Sequence, residues 1–313
     1  MNLLVYIPAF NEADHIASVI NRIPKKIKGV TSTACLVVDD GSTDNTSQVA
    51  KSAGANVIRH SRNQGVGMAF QSAVQFAWEN KADILVGIDA DGQFDPAEIP
   101  LIIQPIMQQI ADLVVGNRFT SGKPENMSSI KYWGNRMMAL LVSTISGCKL
   151  QDVSSGFRAY NREALLRLNT FEKFTYTHES ILSLVYQGLA VVELPVSIAY
   201  FPERKSRVAN SIPKYAVKTS KIILKVLLDY KPLSVFGTLG SVSFLIGLAF
   251  EIFLFTHYAL VGSFSPYKTA GFIGLGFIIF GMLVFLLALI AEMLNRLRLN
   301  QERILVELKR RGK

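Results

Sequence analysis

Hydrophobic and polar positions follow two rhythms through about residue 200. Short apolar runs at 3–7, 34–38, 56–59, 84–88, 113–116 and 191–196 have the length and continuous apolar character of strands buried on both faces. Between them, 13–22, 44–52, 67–78 and 96–109 repeat apolar residues at helical spacing. Gly54 closes the second of these, and Asp95 stands as N-cap before Pro96 in the last. Strand–helix alternation predicts an α/β fold built on a mostly parallel sheet, with ligands gathered beyond the carboxyl ends of the strands. The pattern then changes. Over 212–230, Lys214, Lys218, Lys221 and Lys225 fall on one side of a helix. Ile212, Tyr215, Ala216, Ile222, Ile223, Val226 and Leu227 fall on another, as in a helix lying on a membrane surface. After Pro232, two apolar stretches, 233–257 and 270–294, are each long enough to cross a hydrocarbon core of ~30 Å.

These patterns divide the chain into an α/β domain at 1–205, a juxtamembrane helix at 206–231, two transmembrane helices within 232–295 and a basic tail at 296–313. Gly237-x-x-x-Ser241 and Ser243-x-x-x-Gly247 offer small-residue faces for packing between helices, including helices of a second copy of the chain. Glu251, in the far half of the first span, is expected to snorkel to the interface.

Charge sharpens the membrane reading. The net charge of the 313 residues is +9. Residues 203–231 carry +6 and 295–313 carry +5, so everything else is slightly acidic. Basic segments flanking apolar spans point to an anionic membrane surface, not to nucleic acid. The link at 258–269 holds a single Lys, so the positive-inside rule puts the α/β domain and the carboxyl tail together in the cytosol. The first seven residues have no basic stretch, and no secretory signal is expected. Two cysteines, Cys35 inside a core strand and Cys148, suggest no disulfide framework.

Candidate chemistry sits at three strand ends: Pro8-Ala9-Phe10-Asn11-Glu12, Asp39-Asp40-Gly41-Ser42-Thr43-Asp44, and Asp89-Ala90-Asp91-Gly92-Gln93. If the chain stays extended after residue 88, Asp89, Asp91 and Gln93 converge at i, i+2 and i+4 on one oxygen-rich point. Hard cations such as Mg²⁺ or Mn²⁺ choose oxygen ligands and share them with substrate phosphates. Asn11, Glu12, Asp39 and Asp40 would embrace a nucleoside, with Ser42 capping the helix that follows. Gly65-Val66-Gly67-Met68-Ala69-Phe70 departs from a dinucleotide fingerprint at Phe70 and follows a loop, which excludes a Rossmann dehydrogenase.

Pro8-x-x-Asn11-Glu12, Val37-Val38-Asp39-Asp40-Gly41-Ser42-Thr43-Asp44, Asn63-x-Gly65-x-Gly67-x-Ala69, Asp89-Ala90-Asp91-Gly92-Gln93, Gly116-Asn117-Arg118 and Asp152-x-x-Ser155-Gly156-Phe157-Arg158 occur in order. Together they resemble the family 2 glycosyltransferases of GT-A fold, and within them the dolichyl- and polyprenyl-phosphate sugar synthases. The resemblance covers residues 1 to about 205. It implies an enzyme that inverts at the sugar carbon, uses a divalent metal, takes a nucleotide sugar of the GDP-mannose or UDP-glucose type, and passes the sugar to a polyprenyl or dolichyl phosphate. By that resemblance Asp89, Asp91 and Gln93 hold the metal, and Pro8, Ala9, Asn11, Glu12, Asp39, Asp40, Gly65, Asp89, Ala90 and Asp91 contact the donor. In such synthases a Gly-Ser-Arg arginine and an Arg-x-x-x-Ser pair bind the acceptor phosphate. Here those positions read Gly116-Asn117-Arg118 and Lys131-x-x-x-Asn135, and Lys lacks the bidentate fork of Arg.

A lipid monophosphate, with a second pKa near ~6, is largely dianionic at neutral pH and needs cations more than a base. Arg118, Lys131, Arg158, Arg204, Lys205 and Arg207 are the candidates. Two other readings remain. A hydroxyl acceptor on a lipid or glycan would need a general base, and Glu179 stands where hydroxyl-directed relatives carry a catalytic carboxylate. A non-enzymatic membrane scaffold is the other.

Overall fold

The computed structural model describes residues 1–168, 176–201 and 212–311. It divides into two units, Met1–Ile223 and Leu224–Lys313. The first is built on a seven-stranded sheet. Its strands are β1 (Asn2–Ala9), β2 (Ser32–Asp39), β3 (Asn56–Arg59), β4 (Ile84–Gly87), β5 (Leu113–Asn117), β6 (Arg158–Asn161) and β7 (Val191–Pro195), in the spatial order β3-β2-β1-β4-β6-β5-β7. Helices α1 (Ala13–Asn21), α2 (Thr46–Ser52), α3 (Val66–Glu79), α4 (Ile99–Met107), α5 (Ser129–Ser146), α6 (Arg162–Arg167) and α7 (Thr177–Tyr186) connect them, and α8 (Ile212–Tyr230) comes after β7 in the chain.

All six predicted strands are present, and each lies within two residues of its expected bounds. Alternation along β1 explains the layering. Leu3, Val5, Ile7 and Ala9 share one core with Ile16, Val19 and Ile20 of α1 and Ile99, Ile102, Ile103 and Ile106 of α4. On the other face, Tyr6 meets Phe70 of α3, which stacks on Tyr176 at 3.9 Å and touches Tyr160 at 5.4 Å. The N-cap reading at Asp95 holds, since its carboxylate accepts from Ala97 N–H at 2.9 Å. A 3₁₀ turn (Pro96–Glu98) precedes α4 there.

The sheet departs from expectation at β6. It runs antiparallel to both β4 and β5, pairing Gly87 with Arg158 and Val115 with Arg158. Arg158-Ala159-Tyr160-Asn161 has no apolar run to announce it. Its first residue lies at the carboxyl ends of its neighbours, so the segment before it, with Asp152, arrives at the ligand side of the sheet.

In the second unit, α9 (Pro232–Val261) and α10 (Lys268–Arg311) are both long and apolar enough to cross a membrane. They pack through glycines. A Cβ on Gly240 would stand 2.9 Å from the Gly281 carbonyl, and one on Gly247 would stand 2.5 Å from that of Gly274. Ser243 Oγ donates to Phe277 O at 2.9 Å between these contacts. Of the predicted small residues, Gly247 and Ser243 are therefore in the seam. Glu251 also lies along it, because a Cβ on Gly274 would be 2.9 Å from Oε1 of this carboxylate.

The helix of the second apolar stretch does not stop at 294 but continues unbroken to Arg311. Leu, Arg and Glu favour the helix there, with Arg298–Glu302 at 3.6 Å and Arg310–Glu307 at 3.1 Å as supporting pairs. The predicted helix α8 is present, with Lys221 and Lys225 exposed. Its Ile222, Ile223 and Val226 are buried, where the sequence pattern predicts an open apolar face. The side chains of Ile212, Lys214, Tyr215, Ala216 and Lys218 lie outside the described residues.

The glycine seam is testable. Gly247→Val is expected to lower the thermal midpoint of the detergent-solubilised protein by several degrees. Gly276→Val should leave it unchanged, because nothing lies within 4 Å of a Cβ at that position.

Candidate active site

The strand-end loops are laced to one another before any ligand arrives. Asn11, held at φ 54°, accepts Thr43 N–H at 2.8 Å through Oδ1, and its own N–H donates to Ser42 Oγ at 2.9 Å. Glu12 N–H donates to Thr46 Oγ1 at 2.8 Å. Asp39 is fully buried. It accepts Ser42 N–H at 2.8 Å and Ser47 Oγ, with the Arg59 guanidinium 3.6 Å away. Asp40 accepts Gln64 N–H at 2.9 Å and Gly65 N–H at 2.7 Å. Its Oδ1 also lies 2.7 Å from Nδ1 of His60, whose Nε2 meets Ser72 Oγ at 3.0 Å. Both aspartates thus spend oxygens on shaping the loops at 40–47 and 60–65. Pro8 is half-buried, and Ala9 and Ala90 are buried. Gly65, at φ 95°, occupies backbone space that a side chain would strain.

After β4 the chain does not remain extended. It turns at 90–92, with Gly92 at φ 72°, and Asp91 Oδ1 accepts the N–H of Gln93 at 3.1 Å. The extended course on which the predicted convergence of Asp89, Asp91 and Gln93 depended is therefore replaced by a turn, which brings the Gln93 backbone N–H onto Asp91. Asp89 and Asp91 are close enough to perturb one another. Burial and then Asp91 push the Asp89 carboxyl up, with Arg118 opposing. Gly156 is fixed by this carboxylate, since a Cβ there would fall 2.6 Å from Asp89 Oδ1. Two half-buried carboxylates with the Gln93 amide next along the chain form a hard, anionic oxygen set that fits Mg²⁺ or Mn²⁺. Among the described residues no three His, Cys, Asp or Glu side chains form a metal cluster, so phosphate oxygens would have to complete the coordination.

Opposite lies a cationic wall. Arg118, at the end of β5, forks onto buried Asp152, with Nε to Oδ2 at 2.6 Å and Nη2 to Oδ1 at 2.7 Å. Nη2 also donates to Ser154 Oγ at 2.7 Å, and Nη1 to Tyr200 OH at 3.3 Å. Among the described residues, one Nη1 hydrogen has no partner and would be open to a ligand. Lys131 Nζ lies 5.7 Å from the Tyr200 ring centre. Burial, then Arg118, lower its pKa, while Asp91 opposes them. Asn135 donates to Lys131 O at 2.8 Å and accepts from Ser154 Oγ.

Arg158 corrects the sequence reading. It is fully buried, and its donors go to Ser155 O (2.7 Å), Val153 O (2.8 Å), Thr177 O (2.7 Å) and Ser180 Oγ (3.1 Å). It orders the loop behind the site and cannot reach an acceptor phosphate. Glu179 is buried near the start of α7. Burial and then Arg158 take its neighbour His178 down to about 3, so that imidazole stays neutral. Arg204, Lys205 and Arg207 lie outside the described residues.

Sequence reasoning missed Glu193, a carboxylate inside the apolar run Val191-Val192-Glu193-Leu194. Its Oε1 accepts Gln151 and Asp152 N–H, both at 2.7 Å, and Oε2 accepts from Asn117 Nδ2 at 3.1 Å. A charged residue interrupting an apolar strand was the signal available for it.

A family model described as glycosyl transferase family 2 matches residues 4–168. A glycosyltransferase of Haloferax volcanii, AglJ, is 27% identical over 306 residues, covering 96% of each chain. A UDP-N-acetylglucosamine–dolichyl-phosphate N-acetylglucosaminyltransferase of Methanococcus voltae is 29% identical, over 71% of this chain and 96% of its own. Among solved structures, glucosyl-3-phosphoglycerate synthase of Mycobacterium tuberculosis superposes with a TM-score of 0.57 at 22% identity. That match covers 72% of this chain and 80% of the other and shows the common GT-A fold. Structures of that synthase hold UDP with Mg²⁺ or with Mn²⁺.

Arg158→Met is expected to cost about 3 kcal/mol or more, because buried acceptors lose their donors, and denaturant unfolding measures this. Lys131→Met should leave the unfolding midpoint in place. Acid should act through Asp152. Burial would raise its carboxyl, but Arg118 outweighs that and holds it below the usual range. Its stabilisation is therefore complete above the unfolded value of ~3.9 and is lost as pH falls through the depressed folded value. Unfolding midpoints at pH 7 and pH 5 should therefore show no difference arising from this pair, whose contribution is full at both and is lost only in more acid solution.

Proposed function

This chain belongs to the family 2 glycosyl transferases and is a transferase enzyme; from that premise we propose that it moves a sugar from a nucleotide sugar to a polyprenyl or dolichyl monophosphate, with inversion and with a divalent metal. The observation that carries the proposal is the two-sidedness of α5. One side presents Lys131 and Asn135 to the cationic wall. The opposite side is an open apolar stripe of Ile130, Trp133, Met137 and Leu140, each 64–72% exposed. From residue 126 to 151 the chain carries Lys131, Arg136 and Lys149 and no carboxylate. An apolar face with an indole and flanking cations suits the headgroup region of an anionic bilayer. A phosphate at the membrane surface would meet Lys131 and the remaining Nη1 hydrogen of Arg118.

The donor half follows from the laced loops. The segments ordered by Asn11, Asp39 and Asp40 would receive the nucleoside, with Glu12 beside them. Asp89, Asp91 and Gln93 would hold the metal, whose charge offsets that building on the departing diphosphate. The acceptor dianion needs no proton removed, so Lys131, Asn135 and Arg118 have only to bind and aim it. Buried Glu179 is then not needed as a base. The relatives named above include one that acts on a dolichyl phosphate, which supports this acceptor class. The α9–α10 hairpin would anchor the enzyme with its catalytic unit and carboxyl end in the cytosol. Arg204, Lys205 and Arg207 would add cations for the acceptor phosphate.

Two experiments test this reading. Purified full-length protein, a panel of labelled nucleotide sugars and polyprenyl phosphate should yield lipid-linked sugar with one donor. A chelator should abolish it, and Mg²⁺ or Mn²⁺ should restore it. Lys131→Ala should then raise the acceptor KM by about ten- to hundred-fold, while Glu179→Gln keeps appreciable rate. A dead Glu179→Gln beside a normal Lys131→Ala would favour the hydroxyl acceptor. Lys131→Ala is the cleaner probe than Arg118→Ala, which strands buried Asp152.

The second experiment concerns the stripe. The chain has two tryptophans, Trp78 and Trp133, so Trp78→Phe leaves a single reporter. In vesicles containing brominated lipids, Trp133 fluorescence should be quenched relative to unbrominated vesicles. Unchanged emission would remove α5 from the membrane.

A further inference from the structure

Glu193 belongs to β7, an edge strand, and touches neither the carboxylate turn nor Lys131 among the contacts described. What it does touch are the two loops that make the cationic wall. Through Oε1 it holds the N–H groups of Gln151 and Asp152, and through Oε2 it holds Asn117 Nδ2. Asn117 Oδ1 in turn accepts Phe119 N–H at 2.8 Å. The residues gripped on either side, Asn117 with Phe119 and Gln151 with Asp152, flank or contain the two members of the Arg118–Asp152 pair. Glu193 also lines a cavity of about 350 Å³ with Asn117, Lys149, Gln151 and Pro195, so its carboxylate is not part of the apolar core.

Resting on the acceptor reading above, we infer that Glu193 is a positioning residue for the acceptor phosphate. Its carboxylate clamps the loops at 117–119 and 151–152 and so fixes where the Arg118 guanidinium is aimed. The clamp has a fixed polarity. Three donors converge on the two carboxyl oxygens, and Asn117 cannot turn its amide over without losing the bond to Phe119 N–H. A carboxamide at position 193 would keep its oxygen on the two backbone N–H groups but set an NH₂ against the NH₂ of Asn117. Exchanging the two groups restores the match. The carboxamide at position 193 would then donate to one oxygen of a carboxylate at position 117, whose other oxygen would still accept Phe119 N–H.

The test is the cycle of Glu193→Gln, Asn117→Asp and the double exchange, assayed with full-length enzyme, polyprenyl phosphate and the active nucleotide sugar. Glu193→Gln should raise the acceptor KM about ten-fold, with the donor KM within about two-fold of wild type. Asn117→Asp, which sets two carboxylates face to face, should do at least as much. The double exchange should return the acceptor KM to within about three-fold of wild type. A normal acceptor KM in Glu193→Gln would overturn the inference. So would losses shared equally between donor and acceptor and not repaired by the exchange, which mark a general structural role. If Glu193→Gln does not fold, the double exchange still decides, since only a matched clamp should recover both folding and acceptor KM. Wild-type enzyme inactive on polyprenyl phosphate with every donor would instead overturn the acceptor reading.

Discussion

A carboxylate with no exposure to solvent must be met by donors, and Asp152 is such a group. Arg118 supplies two charge-assisted bonds and its own N–H, and Ser154 and Ser155 add theirs. Much of the site follows from meeting that demand. The guanidinium is locked in one plane, Ser154 is drawn to where it meets Asn135, and the loop before β6 is pinned against the end of β5. The arginine is less a mobile ligand than a fixed element of the wall, and Lys131 is the freer cation.

The opposing carboxylates are the mirror image of that wall. Burial and then Asp91 raise the cost of ionising Asp89, and among the protein cations near it Arg118 has the larger effect and Arg158 the smaller. The site therefore sets carboxylates that repel one another against a group of cations. On the proposed reading, a metal–diphosphate unit and a phosphate dianion would answer both.

Six of the seven strands, the first four helices and the carboxylates after β4 were legible because apolar periodicity and strand-end polarity are local signals, whereas the turn that carries those carboxylates stood in the sequence as extended chain. Asp39 and Asp40 were visible as residues, but their inward direction was not, since that depends on which backbone N–H groups the loops leave unpaired. Arg158 was misread for a related reason. An arginine in a polar motif looks like a ligand for anions, and only the folded chain shows four acceptors closing around it. Strand β6 escaped because four residues beginning with Arg carry no strand pattern, and their pairing is dictated by neighbours distant in sequence. Helix α5 was likewise invisible as an element, although Lys131 and Asn135 on it were named.

The reversal of β6 has one more consequence. A strand that runs against its neighbours brings its leading loop to the edge where the others deliver their trailing loops. The residues that would receive the donor come from the chain up to the turn after β4, and those of the cationic wall come from segments after it. The two banks of the cleft are thus separate tracts of one polypeptide. A lineage can recolour α5 and leave the loops that would hold the nucleotide in place, while the loop before β6 stays tied to them where Gly156 meets Asp89. The same architecture can in this way exchange acceptors while keeping its donor machinery whole.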